Sequence, residues 1–214
     1  MTRRFTKVTG AVLAVVAVVA GTSTAYAALT DSTNLSQSIT SGTLSTFIGD
    51  ASSVEVPSPS VAFAAKTVSN GLQTSTGTLG TNTQRIYVDN PGAVTGSNGW
   101  TVTFAATGGP TAAWTSGGNT YAFNGAAAAN GQLTVNPSTG TITAEVGSTT
   151  GITLGSSATF SGGSNTPVTL LNAASSADDI NKVYLMGVSL SQTIPASTPA
   201  GTYSLDFTQT LAQV

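Results

Sequence analysis

The chain predicts an all-β fold: a single antiparallel β-sandwich of about ten short strands behind a cleaved N-terminal signal peptide. Three observations carry this. Apolar residues alternate with Thr and Ser in short runs, and no apolar stripe recurs at helical spacing. Gly and Asn punctuate the runs at short intervals. Charged residues make up only 7% of the chain, so long helices with a charged outer face are not expected.

The first 27 residues read as an export leader, with Arg3, Arg4 and Lys7 ahead of the unbroken apolar run Ala11 to Ala20 and the small-x-small site Ala25-Tyr26-Ala27. That run is shorter than the roughly 20 residues a membrane-spanning helix needs, so no membrane insertion is expected once the leader is removed. Residues 28–60, with Pro57 and Pro59, read as an extended segment or edge strands, and residues 61–214 as the sandwich domain.

The clearest strand is Trp100-Thr101-Val102-Thr103-Phe104, with Trp100, Val102 and Phe104 on one face and two threonines on the other. The same period of two marks Ile86 and Val88, Leu133 and Val135, Ile142 to Val146, and Tyr203, Leu205 and Phe207. Weaker strands are expected at 44–48, 61–65, 121–123, 152–154, 168–171 and 183–194, and one helical turn or an ordered loop at 173–181. Asn70-Gly71, Asn98-Gly99, Asn124-Gly125 and Asn130-Gly131 are expected to supply the positive φ of tight hairpins, and Pro137 and Gly140 to bracket a further reversal.

Composition excludes much chemistry. With Cys 0 and His 0 there is no disulfide, thiol nucleophile, imidazole base or nitrogen–sulfur metal site, and no cofactor is expected. Without the leader only Lys66, Arg85 and Lys182 remain against eight acidic residues, a balance that speaks against nucleic acid and anionic membranes as partners. Paired-carboxylate hydrolysis is the enzyme class least damaged. Asp89, Glu145, Asp178, Asp179 and Asp206 show no spacing that converges two of them, so no catalytic residue and no enzyme activity are expected. Asp178 and Asp179, near Asn172 and Asn181, read as loop caps rather than calcium ligands.

The aromatic residues carry the binding expectation, because an indole or phenol ring covers the apolar face of a sugar. Trp100 belongs to the core, packing against neighbours such as Phe104 and Phe207. Trp114, between Ala112-Ala113 and Thr115-Ser116-Gly117-Gly118, is the leading candidate for an exposed contact with glycan or a partner, with Tyr87 and Tyr121 as lesser candidates.

Val88-Asp89-Asn90-Pro91, a Gly- and Asn-rich loop, and Gly99-Trp100-Thr101-Val102-Thr103 resemble the first signature of WxL (Trp-x-Leu) bacterial surface domains. Thr193-Ile194-Pro195-Ala196, with Pro199-Ala200-Gly201-Thr202-Tyr203-Ser204-Leu205, is similar to the family's approach to its last strand, where Phe207 takes the place of the second Trp. The resemblance spans about residues 80–214. It implies an extracellular, non-enzymatic β-domain held noncovalently on peptidoglycan or in surface protein complexes, with Trp100, Val102, Tyr203, Leu205 and Phe207 as structural signature positions. The segments Ala28-Leu29-Thr30-Asp31-Ser32 and Ile39-Thr40-Ser41-Gly42-Thr43-Leu44 resemble the mature start of camelysin and TasA-like matrix proteins. That likeness implies an alternative, self-assembly into an extracellular fibre by strand donation. The chain's last residues carry no sorting motif, so covalent wall anchoring is not expected.

Overall fold

The structure, a computed structural model, describes residues 36–40, 42–92 and 99–214; the expected leader and Asn98 lie outside the described residues. Thr40–Val214 forms one compact unit. Its strands in chain order are β1 (Ser45–Gly49), β2 (Gln73–Leu79), β3 (Arg85–Pro91), β4 (Trp100–Ala106), β5 (Ala113–Ser116), β6 (Asn119–Ala122) and β7 (Leu133–Asn136). There follow β8 (Thr141–Val146), β9 (Ile152–Leu154), β10 (Ala158–Thr159), β11 (Val168–Ala173), β12 (Ile180–Met186), β13 (Val188–Ile194) and β14 (Phe207–Gln213). Among the described residues the only helical pieces are three 3-10 turns, and no helix is long and apolar enough to cross a membrane.

Two four-stranded sheets, β1-β3-β12-β8 and β10-β7-β13-β2, are the halves of one creased surface. Three successive pairs of strands run from one half into the other: β2 into β3, β7 into β8, and β12 into β13. The three connections are hydrogen-bonded side by side. Gly187, at φ +83, separates β12 from β13 and donates its N–H to the Gly80 carbonyl at 2.8 Å. Thr139, in the turn before β8, donates its hydroxyl to the Gly187 carbonyl at 2.9 Å and accepts the Ser189 N–H at 2.9 Å. At Gly80, φ +79, a Cβ would lie 2.8 Å from the Leu185 carbonyl oxygen and 2.9 Å from the Met186 Cα. Glycine is therefore required there both by backbone conformation and by the close approach of the neighbouring strand.

The third sheet, β14-β4-β11-β9, closes the sandwich, and every strand pair among the described residues is antiparallel. Strand β4 alternates strictly, with Trp100, Val102, Phe104 and Ala106 buried and the residues between them half-buried. They join Ile86, Val88, Val183 and Leu185 from one half of the creased sheet, and Leu133, Val135, Val188 and Leu190 from the other, in one continuous core. A bulge in β11 between Thr169 and Leu171 lets Leu170 and Leu171 both be buried. Burial of this set, at roughly 1.5–3 kcal/mol for each large apolar side chain, is the main term opposing chain entropy in a molecule without disulfides.

The all-β sandwich expected from the alternating runs is observed, with several differences in detail. Strands β2, β5 and β10 were not expected. The sequence of β2, Gln-Thr-Ser-Thr-Gly-Thr-Leu, buries only Ser75 and Leu79, so its pattern carries almost no apolar signal. The expected strand at 183–194 is two strands broken by Gly187. Residues 61–65 are not a strand but an extended strap beside β2, tied by Ala64 N–H to the Thr76 carbonyl (2.8 Å) and by the Ser75 hydroxyl to the Ala64 carbonyl (2.5 Å). The last strand begins at Phe207, not Tyr203. Of the three Asn-Gly pairs within the described residues, only Asn130-Gly131 shows the expected positive φ, at Gly131 (+91). Gly71 and Gly125 do not have it, and the β5–β6 hairpin turns on Gly117-Gly118 instead.

Candidate ligand groove

The β5–β6 hairpin sets Trp114 directly opposite Tyr121, and the two rings stack at 6.0 Å and 14°. Tyr203 meets Tyr121 edge-on at 5.0 Å, and Phe63 of the strap meets Trp114 edge-on at 5.3 Å. Four rings from four parts of the chain thus form the row Phe63, Trp114, Tyr121, Tyr203. Tyr203 is fixed by two backbone hydrogen bonds between Thr115 and Ser204, each 3.0 Å, and by its own hydroxyl, which donates to the Pro199 carbonyl at 3.0 Å. The indole of Trp114 is fixed from below. Its Nε1 donates to Gln192 Oε1 at 2.9 Å, and the Gln192 amide donates to the carbonyls of Thr193 (2.7 Å) and Ala122 (3.3 Å). Gln192 is 1% exposed, yet its carbonyl oxygen and its amide nitrogen both have partners, which is the condition for a buried amide to be tolerated.

The row borders two clefts separated by the strap. The larger, about 640 Å³, runs between strap residues 61–69 and the segment 194–203; the smaller, about 310 Å³, lies between Pro59–Phe63 and residues 203–207. Both volumes fall in the range of small-ligand sites. Phe63, Trp114 and Tyr203 line both. The Tyr121 hydroxyl hydrogen-bonds to no described residue, and burial together with nearby Tyr203 pushes its pKa up to about 12, so it is a neutral donor at physiological pH.

Trp114, expected as an exposed contact, is 9% exposed and belongs to the core; Phe63 covers it from a segment far upstream. It lines both clefts with little area left open. Tyr121 and Tyr203 are half-buried and line the larger cleft. Tyr87, expected at the surface, has no exposed area and lines neither cleft, because Phe47 stacks on it at 5.0 Å and Tyr184 flanks it at 5.5 Å. Trp100 and Val102 are buried as expected, while Phe207 and Leu205 are half-buried against the core. Trp100 does not touch Phe207: they occupy opposite ends of the β4–β14 pair, where Phe207 stacks on Phe104 at 4.6 Å and Trp100 faces Gln213. Phe63 and Gln192 were not among the expected site residues. The alternation Val61, Phe63, Ala65 pointed to Phe63; a polar side chain after Val188 and Leu190 on the same face was the only sign of Gln192.

Tyr87 belongs to a separate polar cluster on the outer face of the creased sheet. A bulge opposite Lys182 and Val183 makes Glu145 the extra residue of β8. Its carboxylate lies 3.7 Å from Lys182 Nζ and 3.9 Å from Arg85 Nη1, and accepts hydrogen bonds from Ser53 Oγ (2.6 Å) and the Tyr87 hydroxyl (2.9 Å). Partial burial pushes the Glu145 pKa up, but the two hydroxyls and two cations together outweigh it, so the net shift is downward from 4.5. A carboxylate with a depressed folded-state pKa adds stability above its unfolded pKa and loses it as pH falls through the folded value. The stability difference between wild type and Glu145→Gln is therefore expected to hold steady at roughly pH 6–8 and to shrink on acidification below about pH 4. Denaturant titrations of both proteins across that range check it; a difference independent of pH would show that the cluster does not stabilise the ionised carboxylate.

Among the acids considered for hydrolysis, only Asp206 borders a cleft, and among the described residues no three acidic side chains gather as metal ligands. Family models, curated proteins and solved structures were compared with the chain, and none matches.

Proposed function

We propose that this is a non-enzymatic exported protein of the bacterial cell surface that associates noncovalently with peptidoglycan glycan or with surface protein complexes, the reading implied by its WxL-like signatures. The observation that carries it is the row of four rings along the larger cleft. Half-buried tyrosine edges in a groove lined by Gln, Ser and Thr suit a sugar, which presents apolar ring faces between hydroxyls. Binding through such a surface changes little with salt, in contrast to binding through a basic patch.

Washed sacculi mixed with the purified protein lacking residues 1–27 provide the test. The protein is expected in the pellet at low and high salt, and Tyr203→Ala and Tyr121→Ala are each expected to weaken retention by about three- to tenfold, the order of one aromatic contact. Circular dichroism confirms that each variant is folded. Wild-type protein that stays in the supernatant throughout overturns glycan attachment.

One observation favours the fibre reading: β1 is an edge strand supplied by the N-terminal segment, and β3 is its one strand partner in the described sheet, through five residue pairs. Such a strand is exchangeable between copies. Concentration-dependent filaments lost on deletion of residues 28–50 support it, and monodisperse particles from both proteins remove it.

A further inference from the structure

The distribution of charge around the larger cleft narrows its ligand. Among the described residues no acidic side chain lines this cleft, whereas Lys66 does. Of the three cations outside the leader, Arg85 and Lys182 lie against Glu145 on the outer face of the creased sheet. Lys66 is exposed on the strap and forms no ion pair among the described residues. The groove therefore combines aromatic edges, a neutral Tyr121 donor and one uncommitted ammonium in a setting free of acids.

We infer that the groove takes a glycan bearing a carboxylate next to the sugar ring that rests on the aromatic row, with Lys66 as the carboxylate's counter-charge. The inference rests on the glycan reading above. A densely charged polyanion is the wrong match, because beyond the groove it would meet an acidic protein. A sparse carboxylate needs one cation, and one is present. Two sources share this chemistry, the lactyl carboxylate of muramic acid and the carboxylate of a uronic acid.

The test measures binding to three probes: glycan strands stripped of stem peptides so that the lactyl carboxylates are free, the same strands with those carboxyls converted to amides, and a uronate-containing oligosaccharide. Free-carboxylate strands are expected to bind about fivefold more tightly than amidated ones at low salt, the value of one solvent-exposed charge pair near 1 kcal/mol. Lys66→Gln is expected to abolish that ratio and Lys66→Arg to keep it. Because Lys66 is exposed, neither change threatens the fold. Lys66-dependent binding of the uronate alone assigns the site to uronic acids, and of the stripped strands alone to muramic acid. Equal binding of free and amidated strands by wild type, or a ratio that persists in Lys66→Gln, overturns the carboxylate inference while leaving the glycan groove standing. No binding to any probe overturns both.

Discussion

Replacing Trp100 with alanine is expected to destabilise the protein by about 3–5 kcal/mol, the range for removing a large aromatic ring from a packed interior. Trp100 is 1% exposed and heads the largest fully buried side chains. It sits at the start of β4, between Ala173 of β11 and Gln213 of β14, so its ring supports the end of the sheet where three strands meet. Collapse around the vacancy is restricted, because Gly99 beside it has no room even for a Cβ, which would lie 2.2 Å from the Ala173 carbonyl oxygen. In a chain of this size the loss corresponds to a fall in Tm of roughly 10 °C. Thermal melts of the wild type and variant measure it, and a shift below about 3 °C would mean that the ring is not part of the stabilising core.

Gly80→Ala is expected to cost about 3 kcal/mol, although it adds a single methyl group. Two costs combine. An L-residue at φ +79 is strained by roughly 1–2 kcal/mol, and the new Cβ would press within 3 Å of two backbone atoms, Leu185 O and Met186 Cα, that belong to a paired strand and cannot rotate away. Gly118→Ala is the matched control: it also lies in a turn, but nothing stands within 4 Å of its Cβ position and its φ is not positive. Equal stability of the two variants would show that the crease tolerates rearrangement.

Strand β4 was legible because it is central: neighbours on both edges leave each side chain only one choice, core or outer face, and the sequence alternates to match. Strand β2 was not, because it sits at an edge where hydrogen bonding alone suffices, and its threonines serve equally in loops. The break at Gly187 was hidden for a related reason. Val183, Leu185, Val188 and Leu190 are all buried, and a single glycine that shifts the alternation by one residue leaves an apolar stretch that reads as continuous. Trp114 was misjudged because its neighbours in sequence are small and polar, while the ring that covers it, Phe63, arrives from the strap. Tyr87 failed in the same way, since Phe47 lies across from it in register but far from it in sequence. Of the groove's rings only Trp114 and Tyr121 stood out in the chain as contacts, and its assembly required knowing which distant segments meet.

The fold line that β12 and β13 cross through Gly187 has a bearing on fidelity of folding. Side chains in a strand alternate between faces, and β12 and β13 are joined by Gly187 alone, so a slip of one residue there would turn apolar groups outward on both sides of the bend together. The pairing of β12 with β3 and that of β13 with β2 are thereby coupled, and a mistake in one cannot be hidden by correct pairing in the other. A chain with so few charges to penalise misalignment has, in this geometry, a substitute for electrostatic selection of register.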